Sequence, residues 1–166
     1  MKKGKKRVFI LGIGISLILV ALIGGCAPKE VTPPPTAPTA PAAKTLNIGA
    51  IMPLSGKGAT LGIPFERTIT MQAEEYNKAG GITVGGEKYK LNLIIEDGKY
   101  SAEGVKAAGE KLIYRDKVKF ILGPVISPGT ILFNPIAEEN KVITLHNGSS
   151  PKCLNAEYTY SFRPYL

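Results

Sequence analysis

From Thr45 onward the chain alternates short apolar runs with helical stripes, and no other feature restricts its fold as much. Leu46-Asn47-Ile48-Gly49-Ala50-Ile51-Met52 reads as a mostly buried strand, followed by a turn at 53–58. The spacing predicts a helix over 64–79, with Ile69, Ala73 and Tyr76 on one face and Gly80-Gly81 as its stop. Ile82-Thr83-Val84 turns at Gly85-Gly86 and returns in a strand over 89–96. Ser101 is placed to cap a helix reaching about Tyr114, with Val105, Ala108 and Leu112 as its apolar stripe. A strand over 118–122 leads to a helix ending near Glu139, with Ser127 at the cap and Pro128 at the first helical position. Further strands are expected over 142–145 and 158–162. Strands that alternate with helices predict an α/β fold: a three-layer sandwich around a mainly parallel sheet.

The residues ahead of Thr45 cannot join that sheet. Residues 27–44 hold six prolines in eighteen positions, a composition that favours an extended, semi-rigid spacer over helix or ladder. Before them, Lys2, Lys3, Lys5, Lys6 and Arg7 precede an uncharged run over 8–23, then Gly24-Gly25-Cys26. A basic region, an apolar region and small residues describe an export signal over 1–25. The uncharged stretch is also just long enough for an uncleaved membrane anchor, but the small residues meeting a cysteine favour cleavage. Without residues 1–25 the 21 cations fall to 16 against the same 13 anions, so most of the formal charge of +8 belongs to the signal. The remaining cations are interspersed with acids and form no basic stripe, which excludes a nucleic-acid binder. Ile23-Gly24-Gly25-Cys26 resembles the lipobox of bacterial lipoproteins, which implies lipidation at Cys26 and a lipid anchor on the extracytoplasmic face of the membrane. Cys153 is then the only other thiol, and no intrachain disulfide is expected.

Five runs, in order and without a large gap over 45–163, carry a wider resemblance: LNIGAIMPLSG, AEEYNKAGGI, IIEDGKYSAEG, DKVKFILGPVISPGT and PIAEENKVITL. Together they resemble the branched-chain amino-acid type (type I) of solute-binding protein of ABC transporters. The resemblance implies two α/β lobes hinged about a cleft that closes on an amino acid or amide-like solute, with delivery to permease subunits in the membrane. Residues 45–166 would then be an incomplete N-terminal ligand-binding lobe, and the second lobe is expected to be missing from this chain. A ligand-sensing lobe of a receptor or two-component system shares the fold and is the alternative reading.

Ligands of open α/β sheets sit beyond the carboxyl ends of the strands. Three turns qualify: Leu54-Ser55-Gly56, Val125-Ile126-Ser127, and the loop 146–150. Ser127 and Ser150 offer hydroxyls, a helix start offers N–H donors, and Gly148 permits close backbone approach. The resemblance assigns Ser127 to the ligand's α-carboxylate, Gly148 to a backbone contact and Ser150 to both charged ends. Leu61 stands where the best-known members carry an aromatic wall, and Val125 and Ile126 complete the candidate set. A cysteine pair found in some members is replaced by Lys99 and Ile126. An exported hydrolase is disfavoured by a single histidine, His146, and by the lack of a G-x-S-x-G or HExxH motif. Gly56-Lys57-Gly58 lacks the spacing of a phosphate loop, so no cofactor is implied and none of the candidate residues suggests a metal.

Overall fold

The computed structural model describes residues 43–164; the expected export signal, Cys26 and most of the proline-rich segment lie outside that range. Six strands form one sheet: β1 (Lys44–Met52), β2 (Ile82–Val84), β3 (Glu87–Asp97), β4 (Phe120–Leu122), β5 (Ile143–Leu145) and β6 (Ser161–Phe162). Their order is β2-β3-β1-β4-β5-β6, and every pairing is parallel except the β2-β3 hairpin. The mainly parallel α/β sheet expected from the alternation is therefore the observed one.

The chain leaves β1 toward β3 on one side and comes back to β4 on the other. Right-handed crossovers in opposite directions put the connecting helices on opposite faces. Helix α1 (Ala59–Lys78) packs on β3 and β1, whereas α2 (Ala102–Glu110) and α3 (Ser127–Glu139) pack on each other. On the α2–α3 face, Ile51, Val105, Leu112, Val118, Ile121, Phe133 and Val142 make one buried core. Gly49 packs tightly there: a Cβ would meet Leu112 at 3.0 Å and Ile121 at 3.1 Å, so those side chains would have to shift by a few tenths of an ångström.

Helix α1 begins five residues ahead of the expected start at Pro64. A 3-10 turn over Gly56–Gly58 runs directly into it, so Pro64 lies within the helix. Its missing N–H costs one bond near the N-terminus, an end that already has unpaired donors. The inward face also differs from expectation. Ala73 is buried, but Tyr76 is 52% exposed, and the adjacent Asn77 turns inward instead. Its side-chain amide donates to the Leu91 carbonyl and accepts from the Leu91 N–H, each at 2.8 Å. Asn77 thus completes the outer edge of β3 just past the end of β2, a task a tyrosine cannot perform.

Ser101 caps α2 by accepting from the Gly104 N–H at 3.0 Å, and Val105, Ala108 and Leu112 are buried as the stripe predicts. After Glu110 the helix widens into one π turn, Lys111–Arg115, so the expected end near Tyr114 is reached in another helical form. Helix α3 corrects a second expectation. Ile126 holds the cap position, Ser127 is the first helical residue and Pro128 the second, and no side chain caps the helix.

Strands β4, β5 and β6 are shorter than expected, with Val118 and Val142 buried just ahead of the ladder. Leu122, Leu145 and Phe162 stand side by side across them, beside a second row of Phe120 and Ile143. Leu145 and Phe162 remain 41% and 48% exposed, so this end of the sheet is bare on the face opposite α3.

Candidate ligand-binding site

The carboxyl ends of β1, β3, β4 and β5 open onto one set of turns. Met52 and Asp97 end level with each other, as do Leu122 and Leu145. Asp97 ties the first two turns together, since its Oδ1 accepts from the Leu54 and Lys99 N–H groups at 2.8 Å each. Burial pushes this carboxyl up, but hydrogen bonds from Ser55, Lys99 and Leu54 outweigh it and leave it below its ordinary value. The Gly98 N–H donates to the Met52 carbonyl at 2.8 Å, which closes the same corner.

Beyond Gly98, Lys99 and Tyr100 both take positive φ, +51° and +52°. For non-glycine residues each costs about 1–2 kcal/mol, which the surrounding bonds must hold in place. The Tyr100 ring packs against the Gly56–Gly58 turn: a Cβ at Gly58 would lie 2.6 Å from its Cδ2. Lys57 Nζ lies 6.0 Å from the ring centroid.

After β4 the chain turns through Gly123 (φ +95°), where a Cβ would stand 2.4 Å from the Ile51 carbonyl oxygen. It then enters α3 at Ser127. The Ser127 Oγ accepts from the Ser150 N–H at 3.0 Å and lies 3.4 Å from the Ser149 Oγ. Ser150 in turn caps the 3-10 turn Pro151–Cys153, its Oγ accepting from the Lys152 N–H at 3.3 Å. The Arg163 guanidinium donates to the carbonyls of Gly148 and Ser149, at 3.4 and 3.2 Å.

These turns enclose an open concavity of about 360 Å³ lined by Leu61, Tyr100, Val125, Ile126, Ser127, Pro128 and Ser149. Leu61, Val125, Ile126 and Ser127 come together as the sequence expected. Gly148 and Ser150 are not among the lining residues. Gly148 is buried, and a Cβ there would lie 2.6 Å from Cys153 Sγ and 2.8 Å from Thr130 Oγ1, so close packing inside the lobe requires glycine. Ser150 braces Ser127 through its backbone. Sequence reasoning missed Tyr100, which lies three residues past the end of β3.

His146 is fully buried; its Nδ1 accepts from the Gly148 N–H at 3.2 Å, while its Nε2 has no partner. Burial first, and then the charge of Arg163, lower its pKa and keep the ring neutral. It supports the 146–150 loop from within. No group of His, Cys, Asp and Glu side chains suited to a metal occurs among the described residues.

In chemical terms the lining combines apolar side chains with the hydroxyls of Ser127 and Ser149 beside a helix N-terminus. Among the described residues no acidic side chain lines it. Hydroxyl donors and a helix start together favour a carboxylate.

A sequence profile of the family described as periplasmic binding protein matches residues 45–165. The Leu/Ile/Val-binding protein BraC3 of Rhizobium johnstonii is 36% identical over 98 residues, which is 59% of this chain and 25% of that protein. Among solved structures, the solute binding protein of an ABC transporter from Rhodopseudomonas palustris BisB5, in complex with 3,4-dihydroxybenzoic acid, superposes with a TM-score of 0.58 at 26% identity. That match covers 70% of this chain and 31% of the other. The branched-chain amino acid transporter substrate binding protein of Streptococcus pneumoniae, in complex with isoleucine, shares the fold with a TM-score of 0.61 at 23% identity, over 72% of this chain and 33% of its own. The chain thus spans between a quarter and a third of the length of these relatives.

Proposed function

The chain belongs to the periplasmic binding protein family, and from that premise we propose that it is a ligand-binding lobe of an extracytoplasmic ABC-importer lipoprotein that captures a small carboxylate. The ligand class is a branched-chain amino acid or an aromatic acid, the two kinds that relatives of this fold are described as holding. The observation that carries the reading is the pairing of Ser127 and Ser149 at the α3 N-terminus with the apolar wall of Leu61, Val125 and Ile126.

Each part has a role. The Ser127 and Ser149 hydroxyls and the first N–H groups of α3 receive the carboxylate. Leu61, Val125 and Ile126 shield the hydrocarbon body from water. Gly148 and Ser150 set the loop from behind. The lobe binds and releases its ligand without turnover, and permease subunits receive it. Lipidation at Cys26 tethers the lobe to the membrane through the proline-rich spacer, on its extracytoplasmic face. Incorporation of labelled palmitate, lost in Cys26→Ala, tests the anchor.

A panel of carboxylates titrated against the full chain tests the binding. The readout should extend to dissociation constants of about 1 mM, equivalent to about 4 kcal/mol of binding. Saturable binding of a carboxylate, weakened by Ser127→Ala, is the expected result. Binding of none, or binding indifferent to Ser127, overturns the proposal.

A further inference from the structure

We infer that His146 is a positioning residue for this site: from inside the lobe it fixes the 146–150 loop that carries Ser149, and so makes ligand affinity depend on pH. The inference rests on the reading of the concavity as a carboxylate site and adds what regulates it.

The ring follows β5 directly and is fully buried, and its Nδ1 accepts from the Gly148 N–H at 3.2 Å. A ring nitrogen that accepts carries no proton, so the imidazole is neutral with its hydrogen on Nε2. Once protonated, Nδ1 becomes a donor set against a donor, and the Gly148 N–H loses its acceptor. Gly148 is packed so closely that a Cβ would fall 2.6 Å from Cys153 Sγ and 2.8 Å from Thr130 Oγ1, which leaves little room to absorb the conflict.

The surrounding charge acts in the same direction. Arg163, one residue past β6, donates to the Gly148 and Ser149 carbonyls at 3.4 and 3.2 Å, so its cation stands on the same loop as the imidazole. Burial, and then that cation, disfavour the imidazolium. The 3-10 turn after the loop brings the Cys153 thiol, which donates to the Ser127 carbonyl at 3.7 Å. Strand β4 is apolar, and the acids of α3, Glu138 and Glu139, lie at its C-terminal end, where Glu138 accepts from the Thr159 and Tyr160 N–H groups.

The effect reaches the site through two adjacent residues. Ser149 lines the concavity, and the Ser150 N–H is bound by the Ser127 hydroxyl at 3.0 Å. A loop that swings off the ring lets water reach the imidazole and restores its ordinary affinity for protons. Acid therefore favours the released loop over the one that presents Ser149 to a carboxylate. By the same linkage, a bound carboxylate holds the proton off.

The test uses the full chain in a mild non-ionic detergent, with 4-hydroxybenzoate and L-leucine as separate probes in saturation-transfer NMR titrations. Measurements at about pH 7.5 and about pH 5.5 bracket the ordinary imidazole pKa and leave a carboxylate ionised. Whichever probe binds is expected to bind about 3- to 10-fold more weakly at the lower pH, the span one lost hydrogen bond supplies. His146→Leu, with no acceptor for the Gly148 N–H, should be weakened by a similar factor already at the higher pH and give a flat profile. His146→Asn keeps an amide oxygen that accepts but takes up no proton, so it should recover part of that affinity and also give a flat profile. Thermal melts at both pH values confirm that each chain is folded; if His146→Leu is not, His146→Asn decides alone. Equal wild-type affinity at the two pH values, or the wild-type fall retained in His146→Asn, overturns the inference, and the carboxylate site stands if Ser127→Ala still weakens binding at the higher pH. If neither probe binds at the higher pH, or Ser127→Ala changes nothing, both are overturned.

Discussion

The Ser127 hydroxyl, on the first residue of α3, accepts from the backbone N–H of Ser150 at 3.0 Å. That side chain, one position past the cap residue Ile126, fastens the neighbouring loop, and Ser149 lies beside it at 3.4 Å. One hydroxyl therefore joins the two turns that border the concavity.

Ser127→Ala should release that loop. Loss of one hydrogen bond costs about 0.5–1.5 kcal/mol of stability, and the carboxylate loses a donor besides. The expected result is a modest fall in urea midpoint with a larger proportional fall in carboxylate affinity. An unchanged midpoint would mean that the 3.0 Å contact does not hold the loop.

Asp97 predicts a response to acid. Its carboxyl lies below the ordinary value of 3.8 in the folded chain, so its contribution to stability is present above that value and is lost as the pH falls through the folded one. Asp97→Asn should flatten the acid limb of the stability profile below about pH 4. Because an amide oxygen accepts less strongly from the Leu54 and Lys99 N–H groups, the variant should also be less stable at pH 7, by about 1–3 kcal/mol. Unfolding curves at several pH values read both effects.

His146 acts in a separate window. Its folded pKa is lowered from the ordinary 6.5, so below that pH the unfolded chain takes up a proton that the folded chain refuses. Stability is full above about pH 6.5 and declines as the pH drops, by at most about 1.4 kcal/mol per unit until the folded pKa is reached. The chain has no other histidine, so a slope between pH 6.5 and 5 is expected to disappear in His146→Leu. Persistence of the slope in that variant would show another group to be responsible.

Asn77→Ala should leave the Leu91 N–H and carbonyl of β3 without their side-chain partners. A loss of about 1–3 kcal/mol is expected, together with faster amide exchange at Leu91. Tyr76→Ala one residue earlier should cost little, because that side chain is mostly outside.

Much of the fold was legible because strand and helix periods differ and glycines punctuate them. The buried stripe Val105, Ala108 and Leu112 and the Ser101 cap follow from local spacing alone. What local spacing missed were positions decided by a distant partner. Asn77 outranks Tyr76 on the inner face of α1 because β3 needs its edge completed there. Ser127 stands one position inside α3, with Ile126 at the cap, and its hydroxyl holds the 146–150 loop instead. Likewise the candidate site was half legible: Leu61, Val125, Ile126 and Ser127 meet at one concavity, while Tyr100 enters it through two successive left-handed residues that no pattern announced.

The most direct measurement is backbone amide NMR of the full chain during a carboxylate titration. Binding at the proposed site shifts the N–H signals of Ser127, Gly129, Ser149 and Ser150 together, with one dissociation constant, and Ser127→Ala weakens that constant. Shifts confined to residues far from the α3 N-terminus, or none at saturating ligand, would contradict a carboxylate site there.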